Sequence, residues 1–166
     1  MSLTPLNSFN KVHNAVAKVS CGQRHAAIVT QARQLFTMGS NRQGQLGVGV
    51  SVDSSRTLTQ CSFPMLVDSL SQSQVVDVAC GKDHTLAIVT TTPFKSQTKY
   101  SVYSWGSNAS GQLGLHTMKV NVSIPNEVMF GKEDVEIGRI SAGHSHSLFL
   151  DSMKGVTYGA GSNTHG

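Results

Sequence analysis

Apolar residues in this chain arrive in short runs divided by Gly, Ser, Thr, Asn and Pro, and the runs recur in a fixed order. Ala27-Ile28-Val29, Leu86-Ala87-Ile88-Val89 and Leu148-Phe149-Leu150 are rich in β-branched and bulky aliphatic residues. An amphipathic helix needs about a dozen residues free of breakers, so these runs predict strands. Around each lie further extended pieces. One precedes a Cys-Gly pair, as in Val75-Val76-Asp77-Val78-Ala79. Another leads into a glycine-rich phrase: Leu35-Phe36-Thr37-Met38, Val102-Tyr103-Ser104-Trp105, Thr157-Tyr158-Gly159-Ala160. A last one follows a proline, as in Pro64-Met65-Leu66-Val67 and Pro125-Asn126-Glu127-Val128. Four extended pieces per unit predict an all-β chain of repeated small sheets.

Three landmarks define the repeat. The phrase Gly-Ser-Asn-x-x-Gly-Gln-Leu-Gly stands at 39–47 and 106–114, and Gly161-Ser162-Asn163-Thr164-His165-Gly166 begins it again. Upstream lie Cys21-Gly22-Gln23-Arg24-His25, Cys80-Gly81-Lys82-Asp83-His84 and Ala142-Gly143-His144-Ser145-His146. Each is preceded by a proline, sixteen residues before Cys21 and Cys80 and seventeen before Ala142. Markers holding order and distance are the mark of a stacked or radial array. The units read as 1–47 with a partial start, 64–114, and 125–166 cut short. The recurring positions expected to build them are Cys21, Gly22, His25, Gly39, Asn41, Gly44 and Gly47; Cys80, Gly81, His84, Trp105, Gly106, Asn108, Gly111 and Gly114; and Gly143, His146, Gly161, Asn163 and Gly166. Glycine serves where the backbone takes positive φ or two backbones approach closely, and proline suits an edge strand that owes no ladder donor.

These motifs resemble the repeat of the regulator of chromosome condensation family: Val-x-Cys-Gly-x-x-His, an aromatic-Gly-x-Asn-x-x-Gly-Gln-Leu-Gly loop, and a following Pro-x-x-Val. Met38 and Ala160 stand where Trp105 supplies the aromatic, and Ala142 replaces Cys. The resemblance implies a seven-bladed β-propeller of four-stranded blades, of which about two and a half to three units are present. Seven units of about 60 residues would need on the order of 400. The expectation is a piece of a longer polypeptide, with the remaining blades supplied by the rest of that chain or by another subunit.

Composition narrows the chemistry. Charged residues make up 13% of the chain and the net charge is +4. Lys11, Lys18, Arg24, Arg33, Arg42, Arg56 and Lys82 are scattered, so a phosphate-tracking stripe is not expected and direct nucleic-acid binding is disfavoured. No apolar stretch approaches a membrane span, and the first residues lack the charged-then-apolar order of a secretory signal. Cys21 and Cys80 are expected to fill equivalent small apolar niches, with Cys61 alone in a polar loop; no paired framework appears, which suits a reducing compartment. Cytoplasm or nucleus is expected, with a mitochondrial address left open.

Catalytic, cofactor and metal sites are not expected. His25, His84 and His146 recur on separate units, which favours imidazoles bonded to backbone within each blade over a converging metal site. His13, His116 and His165 are expected in loops; His144-Ser145-His146 is the one close pair, which strand alternation would put on one face, and it is the metal candidate. No nucleophile elbow, no P-loop, and no glycine phrase opening a helix occurs. Trp105 is the only tryptophan, which excludes the tryptophan-clustered plant ultraviolet-B receptor. The second unit carries an expanded hairpin, 91–99, in which Phe94, Lys95 and Lys99 form a candidate partner loop. The expected function is a protein-interaction scaffold or adaptor, not an enzyme. The competing one, implied by the resemblance, is nucleotide exchange on a small Ras-like GTPase of the Ran type, with a chromatin association.

Overall fold

The computed structural model describes residues 15–49, 58–91, 99–131 and 135–164. Among these residues eleven strands form three antiparallel sheets in which neighbours in sequence are neighbours in space. The first sheet is β1 (Val16–Cys21), β2 (His25–Thr30), β3 (Leu35–Ser40) and β4 (Gln60–Leu66). The second is β5 (Gln74–Cys80), β6 (His84–Thr91), β7 (Lys99–Ser107) and β8 (Asn121–Glu127). The third is β9 (Ile137–Ala142), β10 (His146–Asp151) and β11 (Thr157–Gly161). Short apolar runs with turn residues at both ends satisfy their backbone groups by this up-and-down pairing.

Strand alternation gives the middle sheet two apolar faces. Ala87 and Val89 of β6 point to the first sheet and pack with Ala27, Val29, Leu35, Val67 and Trp105. Leu86 and Ile88 point to the third and pack with Val102, Ile137 and Phe149. Phe130 closes this second core by edge-to-face contacts with Phe149 and Tyr158, at centroid distances of 5.4 and 5.2 Å. Sheets stacked face to face about a common set of inner strands are successive blades, and the chain is a partial β-propeller.

Irregularities recur as faithfully as the motifs. The ladder of the first strand with the second skips one residue at Ala17, Val76 and Gly138, each four positions before the Cys or Ala landmark. The fourth strand bulges between Met65 and Cys61 and between Asn126 and Val122. Pro64 and Pro125 sit in these bulges on edge strands, where a missing N–H breaks no ladder bond. β4 and β8 therefore start before their prolines instead of after them, because the pairing resumes on both sides of the bulge. Cys61 is consequently in β4 and buried, not in a loop; its thiol lies 3.2 Å from the Phe63 carbonyl.

Cys21 and Cys80 do not share one environment. Cys80 is covered by the first sheet, where Ser20 Oγ accepts a hydrogen bond from its backbone N–H at 2.9 Å, and burial pushes its thiol up to about 12. Cys21 is exposed, since it points from the outward side of the first sheet, away from the second.

The glycine phrases separate two kinds of glycine. Gly47 has φ +71°, and a Cβ there would come within 2.6 Å of Trp105 Nε1 on the next sheet. Gly111 has φ +76° with nothing within 4 Å of a Cβ. Gly111→Ala is expected to cost about 1 kcal/mol, the backbone term alone. Gly47→Ala adds overpacking against a fully buried indole and is expected to cost roughly 2–4 kcal/mol. Urea unfolding of the two variants side by side checks the difference; equal losses would remove the indole from the account.

Candidate functional site

The seams between sheets concentrate the polar residues of the repeat. His25 is held at the start of β2 with its ring against Gly22, where a Cβ would meet Cε1 at 2.4 Å. Its Nε2 lies 2.9 Å from Thr85 Oγ1 of the next sheet. Thr85 Oγ1 donates its one proton to the Gln45 carbonyl at 2.9 Å, so it accepts from His25 and the ring carries its proton on Nε2. The second seam repeats the relay. His84 Nε2 is 3.0 Å from Ser147 Oγ, which donates to the Gln112 carbonyl at 2.7 Å. The histidines thus bond to a hydroxyl of the following blade, contrary to the expectation of backbone partners within their own. The reason is geometric: the turn before each His aims the ring out of its sheet, across the seam.

The glycine loops supply the acceptor. Asn41 Oδ1 accepts from Leu46 N at 3.1 Å while its Nδ2 donates to the Leu58 carbonyl at 2.9 Å; Asn108 makes the same pair with Leu113 N and the Lys119 carbonyl. Gln45 Oε1 and Gln112 Oε1 accept from the backbone N–H groups of Gln43 and Ser110. Held this way, the Gln45 carbonyl also accepts from Trp105 Nε1 at 2.9 Å. Gly39, Gly106 and Gly161 all have φ above +100° and lie against the turn before the His, at Arg24, Asp83 and Ser145. A further tie crosses the first seam between Lys18 Nζ and Asp77 Oδ1 at 2.6 Å.

Burial governs the ionisation of the relay. His25 and His84 are 4% and 0% exposed, and burial lowers each to about 4; the Asp83 charge opposes this at both, and the neighbouring His25 and His146 rings add to it at His84. Both are neutral donors at neutral pH. Among the described residues, no three His, Cys, Asp or Glu side chains gather as a metal site. His144 belongs to the turn before β10 and not to the strand, so alternation does not pair it with His146; its Nδ1 lies 2.8 Å from Ser145 Oγ.

The remaining sequence candidates disperse. Lys99 opens β7 and is exposed, while Phe94 and Lys95, like His13, His165 and Gly166, fall outside the described residues. His116 is exposed on the loop after Gly114, and Asn163 is exposed after β11. Sequence reasoning passed over Gln45, Gln112, Thr85 and Ser147. The signal was present: Gln recurs in the phrase, and a hydroxyl follows the His in the second and third copies but not the first, where Ala26 stands.

Repeated four-strand sheets joined by such seams define a propeller-blade protein. Family models for the regulator of chromosome condensation (RCC1) repeat match residues 34–88 and 101–150, with a second model of that description on 16–45. The chain belongs to this repeat family. It is 32% identical over 148 residues to human probable E3 ubiquitin-protein ligase HERC6, covering 89% of this chain and 13% of that protein. To human protein RCC2 it is 32% identical over 151 residues, covering 91% of this chain and 25% of RCC2. It thus spans a quarter or less of the length of these two relatives. Among solved structures, yeast RCC1 (Prp20), bound to Kap60, superposes with a TM-score of 0.68 at 25% identity, over 90% of this chain and 30% of that one. Human WBSCR16 shares the fold with a TM-score of 0.70 at 21% identity, over 90% of this chain and 35% of its own.

The relay sets an acid limit. Both histidines have folded-state values below their unfolded value of 6.5, so their stabilising contribution is complete above pH 6.5 and is lost as pH falls toward 4. Unfolding free energy is expected to drop by about 2–3 kcal/mol per histidine between pH 7 and 4.5. Urea titrations at both pH values check this, with His84→Gln removing its share of the slope.

Proposed function

We propose that the chain serves as part of a protein-interaction scaffold, displaying turns and loops on a rigid stack of blades. One observation carries this reading: the recurring His, Asn and Gln side chains of the two seams are spent on holding sheets together, while other positions of the connections between strands are exposed. Arg24 and Arg42, which line one shallow concavity of about 290 Å³ with Ser40 and Ser62, and Met118, which is fully exposed, are such displayed positions. The expanded 91–99 connection, with Phe94, Lys95 and Lys99, belongs to the docking surface in this reading. The partner is a protein, and the compartment a reducing one inside the cell, in keeping with the free thiols of Cys21, Cys61 and Cys80.

A second reading, nucleotide exchange on a small GTPase, is favoured by the likeness to yeast Prp20p. A structure of that protein, described together with its binding to Gsp1p and histones, superposes with a TM-score of 0.64 at 20% identity. Exchange requires tighter binding to the nucleotide-free GTPase than to the loaded one. The two readings part in a paired experiment. A panel of small GTPases loaded with fluorescent nucleotide is expected to release it at the uncatalysed rate in the presence of the chain. Replacing residues 92–98 by a two-residue turn is expected to cut recovery of bound protein partners about tenfold. Accelerated release from any GTPase would favour exchange, and unchanged recovery would take the loop out of the docking surface.

A further inference from the structure

Up-and-down pairing puts each turn between a first and a second strand at one end of the sheets, beside the glycine loops. Ser40 N–H donates to the Arg24 carbonyl at 2.7 Å, Ser107 N–H to that of Asp83 at 2.8 Å, and Ser162 N–H to that of Ser145 at 2.8 Å. The other end holds the turns at 31–34, 67–73 and 152–156 and the 91–99 connection, since Thr91 pairs with Lys99. The two ends differ in charge. Among the described residues, the first carries Arg24, Arg42, Lys82 and Lys119 against the carboxylate of Asp83. The second mixes Arg33, Lys99 and Lys154 with Asp68, Glu127 and Glu136.

Cations far apart in sequence meet over the first seam, both sides of which this chain itself supplies. Gln23 N–H donates to the Lys82 carbonyl at 3.2 Å, so the turns bearing Arg24 and Lys82 adjoin. Gln45 Nε2 donates to Asp83 Oδ1 at 3.2 Å, which ties the loop of Arg42 to the same turn and engages its carboxylate. On the other side, a Cβ on Gly44 would lie 2.7 Å from Ser123 Cα, just past the loop of Lys119. Arg42 and Lys119 are exposed and Lys82 is half-buried, and none of the three makes an ion pair among the described residues. Gathering like charge on one end works against folding through self-repulsion, and a partner of opposite charge removes that cost.

The residues around the cations decide the chemistry of that partner. Single-stranded nucleic acid is held by stacking on aromatic side chains, and the described turns and loops at this end contain no Phe, Tyr or Trp. Their side chains are mainly Ser, Asn, Gln and Thr. A few separated cations over short polar groups suit carboxylates spaced along an extended chain. We propose that this end, centred on Arg42, Lys82 and Lys119, docks an acidic segment of a partner protein. The inference rests on the scaffold reading and adds a second surface to it, because the 91–99 connection leaves from the opposite end. Occupying one surface leaves the other open.

Fluorescence anisotropy of the full chain with a labelled peptide of alternating Glu and Ser, at low salt, tests this. Arg42→Gln/Lys82→Gln/Lys119→Gln is compared with Arg33→Gln/Lys99→Gln/Lys154→Gln, which removes the same charge from the other end. The first variant is expected to weaken peptide binding about tenfold and the second less than about twofold. The same peptide with Gln in place of Glu is expected not to bind. The proposal is overturned if the parent chain does not bind the Glu peptide, if both variants lose affinity alike, if the Gln peptide binds as tightly, or if a single-stranded oligonucleotide binds more tightly than the peptide. Replacing residues 92–98 by a short turn separates it from the scaffold reading, since peptide affinity is expected to stay unchanged. If the peptide fails to bind while that replacement still lowers recovery of partners, this proposal falls and the scaffold reading stands.

Discussion

The seam relay is the constraint on which the rest of this structure depends. An imidazole N–H, a hydroxyl and a peptide carbonyl lie in line across each blade junction, and all are buried. Hydrophobic burial drives sheets together but is nearly indifferent to how they slide or turn against each other. A chain of buried hydrogen bonds tolerates no such slip, because a displaced member leaves a polar group without water and without a partner. The relay therefore converts a greasy contact into a fixed register between His25 and Thr85, and again between His84 and Ser147.

The glycine phrase earns its shape from the same requirement. For the Gln45 carbonyl to meet both Thr85 and Trp105, its loop must pass close beneath the next blade, and Asn41 and the Gln45 side chain brace it there. Gly47 leaves room for the indole. At the second seam Ala160 replaces Trp105, and a Cβ at Gly114 would meet a methyl group at 3.4 Å instead of a ring. The seams are thus alike in their relay and different in their filling, which lets one repeat build blades that are not interchangeable.

Much of this was legible from the order of residues. The strands and the unit period follow from runs of Val, Ile and Leu cut by turn formers. The resemblance to the repeat family rested on motifs that the family models match over most of the described chain. The misreadings have a common source. Cys61 looked like a loop residue because Pro64 seemed to start the strand, when the proline occupies a bulge within it. His25 and His84 looked self-contained because a repeat invites each unit to be read alone, whereas their partners lie about 60 residues on.

Local order alone settled what recurs along a stretch: alternation, turn chemistry, and the positions where only glycine fits, since these depend on neighbours a few residues away. Which side of each unit is covered was decided by the stacking of sheets. Cys21 and Cys80 sit in the same motif, yet one is exposed and the other sealed, because burial is a property of what lies opposite a residue and not of the residues beside it.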